Sequence, residues 1–190
     1  MFIAILGRQP EISIAELEAV YGAKNVQKIS NQAATVNRDN LSIDNLGGTI
    51  KCGQVITKIK SQKSDRNTLL QASKIIVEKY TKKLSHSQKK ITLGISFYGN
   101  KMDPRNIQKI GIILKNNLRK SGVSLRLIPN KTAALSTATS HNNKLGRSEA
   151  KIEIIIAKNV YGDLIIAESR GAQNINSYTC LLYTSDAADD

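Results

Sequence analysis

The run LRLIPNKTAALSTATSHNNKLGRS, residues 125–148, concentrates side chains that can grip a phosphate. Arg126, Lys131, Lys144 and Arg147 supply positive charge to neutralise it. Ser136, Thr137 and Asn142, with the N-terminus of a helix expected after NKTA, can donate hydrogen bonds to phosphate oxygens. Polar neighbours crowd His141 in the same run. Such a set holds a polyanion; it does not make or break bonds. The plainer account is a loop and a capped helix whose polar face is merely wet.

Signals for catalysis are poor by comparison. GTIKCGQV, residues 48–55, has the glycine spacing of a phosphate loop, but Gln54 stands where the lysine must be. No Gly-x-Gly-x-x-Gly follows a strand, and no Ser or Cys occupies a strand-to-helix elbow. The two histidines are distant from each other, and His86 lies in the solvated charge run KKLSHSQKK. Cys52 and Cys180 are the only cysteines, too few for a disulfide framework or a zinc site.

The charge points the same way as the opening run. Lys and Arg number 28 against 15 acids, a net +13. The last eleven residues hold three acids and no base, which leaves residues 1–179 at +16. A nucleic acid is the expected partner, since each cation laid on phosphate releases a condensed counterion. A membrane surface is the rival polyanion, and solubility alone the blandest reading. No stretch approaches membrane-spanning length and the start is too short for a signal peptide, so the expected location is cytoplasmic, without a membrane partner.

The elements that must position these residues read as α+β. FIAIL (2–6) predicts a buried strand. SIAELEAVYG predicts a helix capped by Ser13 with Glu16, buried through Ile14, Leu17 and Val20 or Tyr21, and stopped at Gly22. Residues 25–36 read as a weaker strand, NLSIDNLGG as a short helix, and 49–59 as a strand with a glycine break. Residues 60–68 are polar without apolar period and predict a domain boundary. Beyond it come an amphipathic helix at 69–84, an alternating strand at 91–99 and a helix at 103–122 between Asp103-Pro104 and Gly122. A strand (123–129), a helix over 133–145 buried through Leu135, Ala138 and Leu145, and a hairpin at 151–169 complete the order.

Taken in order, FIAILGRQPEISIAELEAVYG, LGGTIKCG, LGISFYG, GVSLRLIPNK, ALSTA, HNNKLGRS and IIAESRGAQNINSYT resemble the archaeal and eukaryotic type of tRNA guanosine-N2 methyltransferases, the THUMP-domain, DNA-methylase-like family. The resemblance covers residues 1 to about 179. It implies a ferredoxin-like domain over 1–60 and an α/β THUMP RNA-binding domain over 61–179. It also implies tRNA as partner, held at the acceptor stem and 3′ end. Catalysis in the family needs a Rossmann-type domain that binds S-adenosylmethionine, and an (Asn/Asp)-Pro-Pro-(Tyr/Phe) motif. Neither is present, for Pro10, Pro104 and Pro129 are never adjacent. The fragment alone is therefore expected to bind no cofactor and catalyse nothing.

The ending CLLYTSDAADD, residues 180–190, departs from the family's continuation. It reads as a translated transposase-type sequencing adapter, so the expected parent continues into a missing C-terminal methyltransferase domain. The expected RNA contacts are Arg126, Asn130, Lys131, Ser136, Thr137, His141, Asn142, Lys144 and Arg147, with Arg119 and Lys120 as outer phosphate contacts. The alternatives are a stand-alone THUMP-type adaptor, a different THUMP enzyme such as a thiouridine synthetase or an RNA pseudouridine synthase, and a DNA methyltransferase.

Overall fold

A computed structural model describes residues 1–99 and 101–174. The chain order is β1 (Phe2–Leu6), α1 (Pro10–Tyr21), β2 (Val26–Ser30), β3 (Ala33–Val36), β4 (Thr49–Ile59), α2 (Asp65–Leu84), β5 (Ile91–Tyr98), α3 (Pro104–Lys120), β6 (Leu125–Leu127), α4 (Thr137–Asn142), β7 (Lys151–Lys158) and β8 (Leu164–Ala172). The α+β reading holds. The 25–36 segment is a hairpin of two strands rather than one, and the expected short helix near residue 43 is a single 3-10 turn, Ile43–Asn45.

All eight strands join one sheet in the order β2-β3-β1-β4-β8-β7-β5-β6. The sheet crosses residue 60 without a break, because β4 pairs antiparallel with β8 from Lys51↔Ala172 to Ile59↔Leu164. Strands β5, β6 and β7 are mutually parallel, so the connections through α3 and α4 cross over the sheet.

Apolar alternation sorts the faces. Phe2, Ala4 and Leu6 of β1 pack with Leu17 of α1. Ile91, Leu93, Ile95 and Phe97 of β5 pack with Ile76 and Tyr80 of α2 and Ile107, Ile110 and Leu114 of α3. The opposite face curls on itself: Ile3 and Ile5 share a cluster with Tyr98, Ile155 and Ala167. Two bonds close the curl, Val160 N–H to the Ile29 carbonyl (3.1 Å) and Gly99 N–H to the Gln32 side chain (2.8 Å).

Two local expectations change. Helix α1 starts four residues early, with Gln9 instead of Ser13 at its N-cap, because Pro10 occupies its first turn, where no N–H is needed. Ser13 then lies inside the helix, buried, and its hydroxyl donates to the Gly48 carbonyl at 2.7 Å. Glu16 accepts from Gly47 N–H and Gly48 N–H (2.5 and 2.9 Å), so the pair clasps the Gly47-Gly48 turn instead of capping α1. Val20 is exposed, leaving Leu17 as the buried anchor. Helix α4 has six residues where thirteen positions were expected, and Ala138 faces out.

Candidate nucleic-acid interface

Helix α4 is short because the chain before it is pinned in a non-helical path. Leu135 N–H donates to Ser96 Oγ (3.0 Å), and its carbonyl accepts from Lys51 Nζ (2.8 Å). Both tethers belong to one buried network. Lys51 Nζ lies 2.6 Å from Glu153 Oε1, with both side chains at 0% exposure, and Ser96 Oγ donates to the same oxygen at 2.6 Å. Burial pulls the Lys51 ammonium below its ordinary value, while the Glu153 carboxylate acts against that. Glu153 Oε2 has no partner among the described residues.

After Leu135, Ser136 Oγ accepts from Thr139 N–H (3.1 Å) and starts α4. Leu135 and Leu145 then rest on β5 where Gly94 leaves room; a Cβ there would lie 2.5 and 2.8 Å from their methyl groups. Gly146, at φ +80°, turns the chain into β7, its N–H bonded to the Lys151 carbonyl (2.7 Å). Arg147 follows and forms a two-pronged pair with Asp44 at 2.6 and 3.1 Å. The Arg147 hydrogen bonds hold the Asp44 carboxyl below the usual carboxylate range.

This path runs from one end of the sheet to the other and divides the expected contacts. Asn130 and Lys131 lie beside the late part of β5, where Asn130 Nδ2 donates to the Ile95 carbonyl at 2.9 Å. The amide of Asn130 therefore fastens the loop. Thr137 is buried (7% exposed), and that takes its hydroxyl off the surface. His141, Asn142, Lys144 and Arg147 come together around a depression of ≈ 440 Å³ that also touches Ala172. Ser136 stays exposed as the cap.

Arg126 joins the second group through the sheet. Thr92 of β5 pairs with Arg126 on one side and Lys151 on the other, so the three form one transverse row. Side chains in such a row share a face, and two strand spacings put Arg126 and Lys151 about 10 Å apart. Arg119 and Lys120 close α3 just before β6, at that same end. Lys82 and Lys83 close α2 just before β5. All four offset the negative pole of a helix C-terminus, a structural role that leaves their ammonium and guanidinium groups at the surface.

The starts of β5, β6 and β7, the C-termini of α2 and α3 and the end of β8 thus meet at one basic end. Sequence reading missed four members of this region: Lys83, Lys89, Lys151 and Arg170, which border a cleft of ≈ 760 Å³ with Arg147. It missed Lys51 and Glu153 too, although charges inside the apolar strands TIKCG and KIEIIIA were a readable sign of a core pair. Of the segment 48–55, all but Gly48 is extended in β4, which cannot cradle a phosphate. Cys52 is buried without a cysteine partner among the described residues, and burial pushes its thiol up to about 12. Cys180 and the 180–190 ending lie outside the described residues.

The described residues hold no group of three or more metal-ligating side chains and no helix long and apolar enough to cross a membrane. No family model and no curated protein matches the chain. Among solved structures it is similar to a 4-thiouridine synthetase in complex with RNA and bound ATP, at 10% identity and a TM-score of 0.47 over 90% of this chain and 41% of that one. It is likewise similar to PH1313 from Pyrococcus horikoshii, at 11% identity and 0.47 over 90% and 54%. The chain spans about half the length of these solved chains.

Proposed function

We propose that this chain is an RNA-binding module that grips a tRNA acceptor end by its phosphates and presents it to a methyltransferase domain acting on a guanosine amine. The observation that carries the binding half of this reading is the meeting of Arg119, Lys120, Arg126, Lys144 and Arg147 at one end of a single sheet. Cations gathered on one end give a directed phosphate grip, where the same number scattered would give only solubility. The enzymatic half rests on the ordered resemblance of residues 1–179 to tRNA guanosine-N2 methyltransferases. In that reading S-adenosylmethionine belongs to the following domain, and the residues described here orient the RNA only.

Matched RNA and DNA hairpins, each with and without a single-stranded 3′ end, test the binding half. The RNA with its free end is expected to bind tightest, with affinity falling steeply as salt rises. Preference for the DNA duplex, or indifference to the free end, would remove the reading. Sequencing the source DNA across codon 179 tests the enzymatic half. An open frame into a glycine-loop domain with an (Asn/Asp)-Pro-Pro-(Tyr/Phe) motif is expected; a stop codon after Asp190 would leave an adaptor.

A further inference from the structure

The cleft at the basic end adds residues that the opening sequence run does not contain. One wall is the C-terminus of α2 with the loop 85–90, the other is segment 146–151, and Arg170 of β8 lies between them. Its lining holds five Lys or Arg against the two acids Glu149 and Glu168. Three of the five are engaged. Lys83 is on Glu168 (2.7 Å), Arg147 is on Asp44, and Arg170 is on the Gln54 side chain. Lys89 and Lys151 make no ion pair among the described residues, and one comes from each wall.

We infer that this cleft binds the phosphodiester backbone of a single RNA strand, with Lys89 and Lys151 as its direct phosphate contacts. The inference rests on the RNA-binding reading above and specifies where the strand runs. At ≈ 760 Å³ the cleft falls in the size range of ligand sites. No Phe, Tyr or Trp lines it, and Arg147 and Arg170 are already engaged, so His86 is the main surface left for a base to stack on and recognition is chiefly of the backbone. The same lining speaks against a lipid surface. Membrane-bound basic faces carry apolar side chains that enter the headgroup boundary. Here the large exposed apolar residues, among them Ile12, Leu70, Ile112 and Tyr161, lie elsewhere on the molecule. The depression around His141 and Asn142 neighbours the cleft, since Arg147 borders both.

The test uses the 190-residue chain and a fluorescent RNA hairpin with a single-stranded 3′ end, titrated over a range of salt concentrations. Lys89→Gln with Lys151→Gln is expected to lower the slope of log affinity against log salt by about 1.4, two single-strand contacts. Lys60→Gln with Lys101→Gln makes the same charge change at the opposite end of the sheet and is expected to leave the slope unaltered. Glu149→Lys, on the cleft rim, is expected to steepen it, a gain that misfolding cannot mimic. A cleft variant with the wild-type slope, while the wild type binds, overturns the inference and leaves the RNA reading standing. A wild type that shows no salt-dependent RNA binding removes both. Tighter binding to phosphatidylserine vesicles than to RNA, lost in the cleft variant, makes the cleft a lipid site and overturns the inference as well.

Discussion

Two ion pairs fasten β7 and the segment before it to the first sixty residues, and they sit in opposite surroundings. Lys51–Glu153 is wholly buried beneath Leu135; Arg147–Asp44 is at the surface, with side chains 43% and 63% exposed. In the interior neither partner has water to fall back on, so each demands the other and fixes the path of Leu135. At the surface water and salt screen the attraction, and Arg147 can exchange Asp44 for a phosphate at little cost. The buried pair shapes the proposed interface, and in that reading the exposed pair keeps a cation available to it.

Breaking the buried pair should give the largest effect. Lys51→Met leaves the Glu153 carboxylate unpaired in the core and removes the donor to the Leu135 carbonyl. Urea unfolding is expected to show a loss of about 3–5 kcal/mol. Adding Glu153→Met should restore most of that stability, because an apolar pair of similar volume removes both charges. Hydrogen exchange at Leu135 and through α4 should nevertheless stay faster than in the wild type. Full stability in the single variant would mean that the two charges do not depend on each other.

Gly146, next to Arg147 in the chain, is expected to come next. Its φ of +80° disfavours any side chain, and a Cβ would lie 2.6 Å from the Ser169 carbonyl oxygen. Gly146→Ala should cost about 2 kcal/mol or more in thermal or urea unfolding. An unchanged midpoint would show that the turn into β7 relaxes freely.

The smallest effect belongs to the exposed pair. Asp44→Asn is expected to shift stability by less than about 1 kcal/mol. It should also strengthen RNA binding, since Arg147 loses its competing anion. The pH dependence has a defined sign. Asp44 has a folded value depressed below 3.8, so the pair's contribution is present above 3.8 and fades as pH falls through the folded value. A carboxyl titration followed by NMR checks the depression, which should vanish in Arg147→Ala.

Particular residues show how far the amino-acid order could be read. The stripe Ile107, Ile110, Leu114 and Leu118 announced α3, and all four are buried. Asp103 caps that helix through Arg105 N–H as its position predicts. Ser13 and Glu16 have capping spacing but serve the Gly47-Gly48 turn, because Pro10 had already started the helix. Spacing within a helix says which groups are neighbours; it does not say which distant backbone they meet. The same limit applies to Thr137 and Asn130, whose types suit a phosphate but which the fold buries or uses as a fastener.

The sequence by itself determined the kinds of element, their order, the apolar faces and the excess of positive charge, since these follow from local periodicity and composition. Only the tertiary structure decided which cations stand together. Lys83 with Lys89, Arg126, Arg147 with Lys151, and Arg170 come from four separate segments, and they share one end because β5, β6 and β7 run parallel. Parallel pairing obliges each crossover to return to the end where the first strand began. Lys51 and Glu153, 102 residues apart, became partners in the same way, when the sheet curled and closed water out between them.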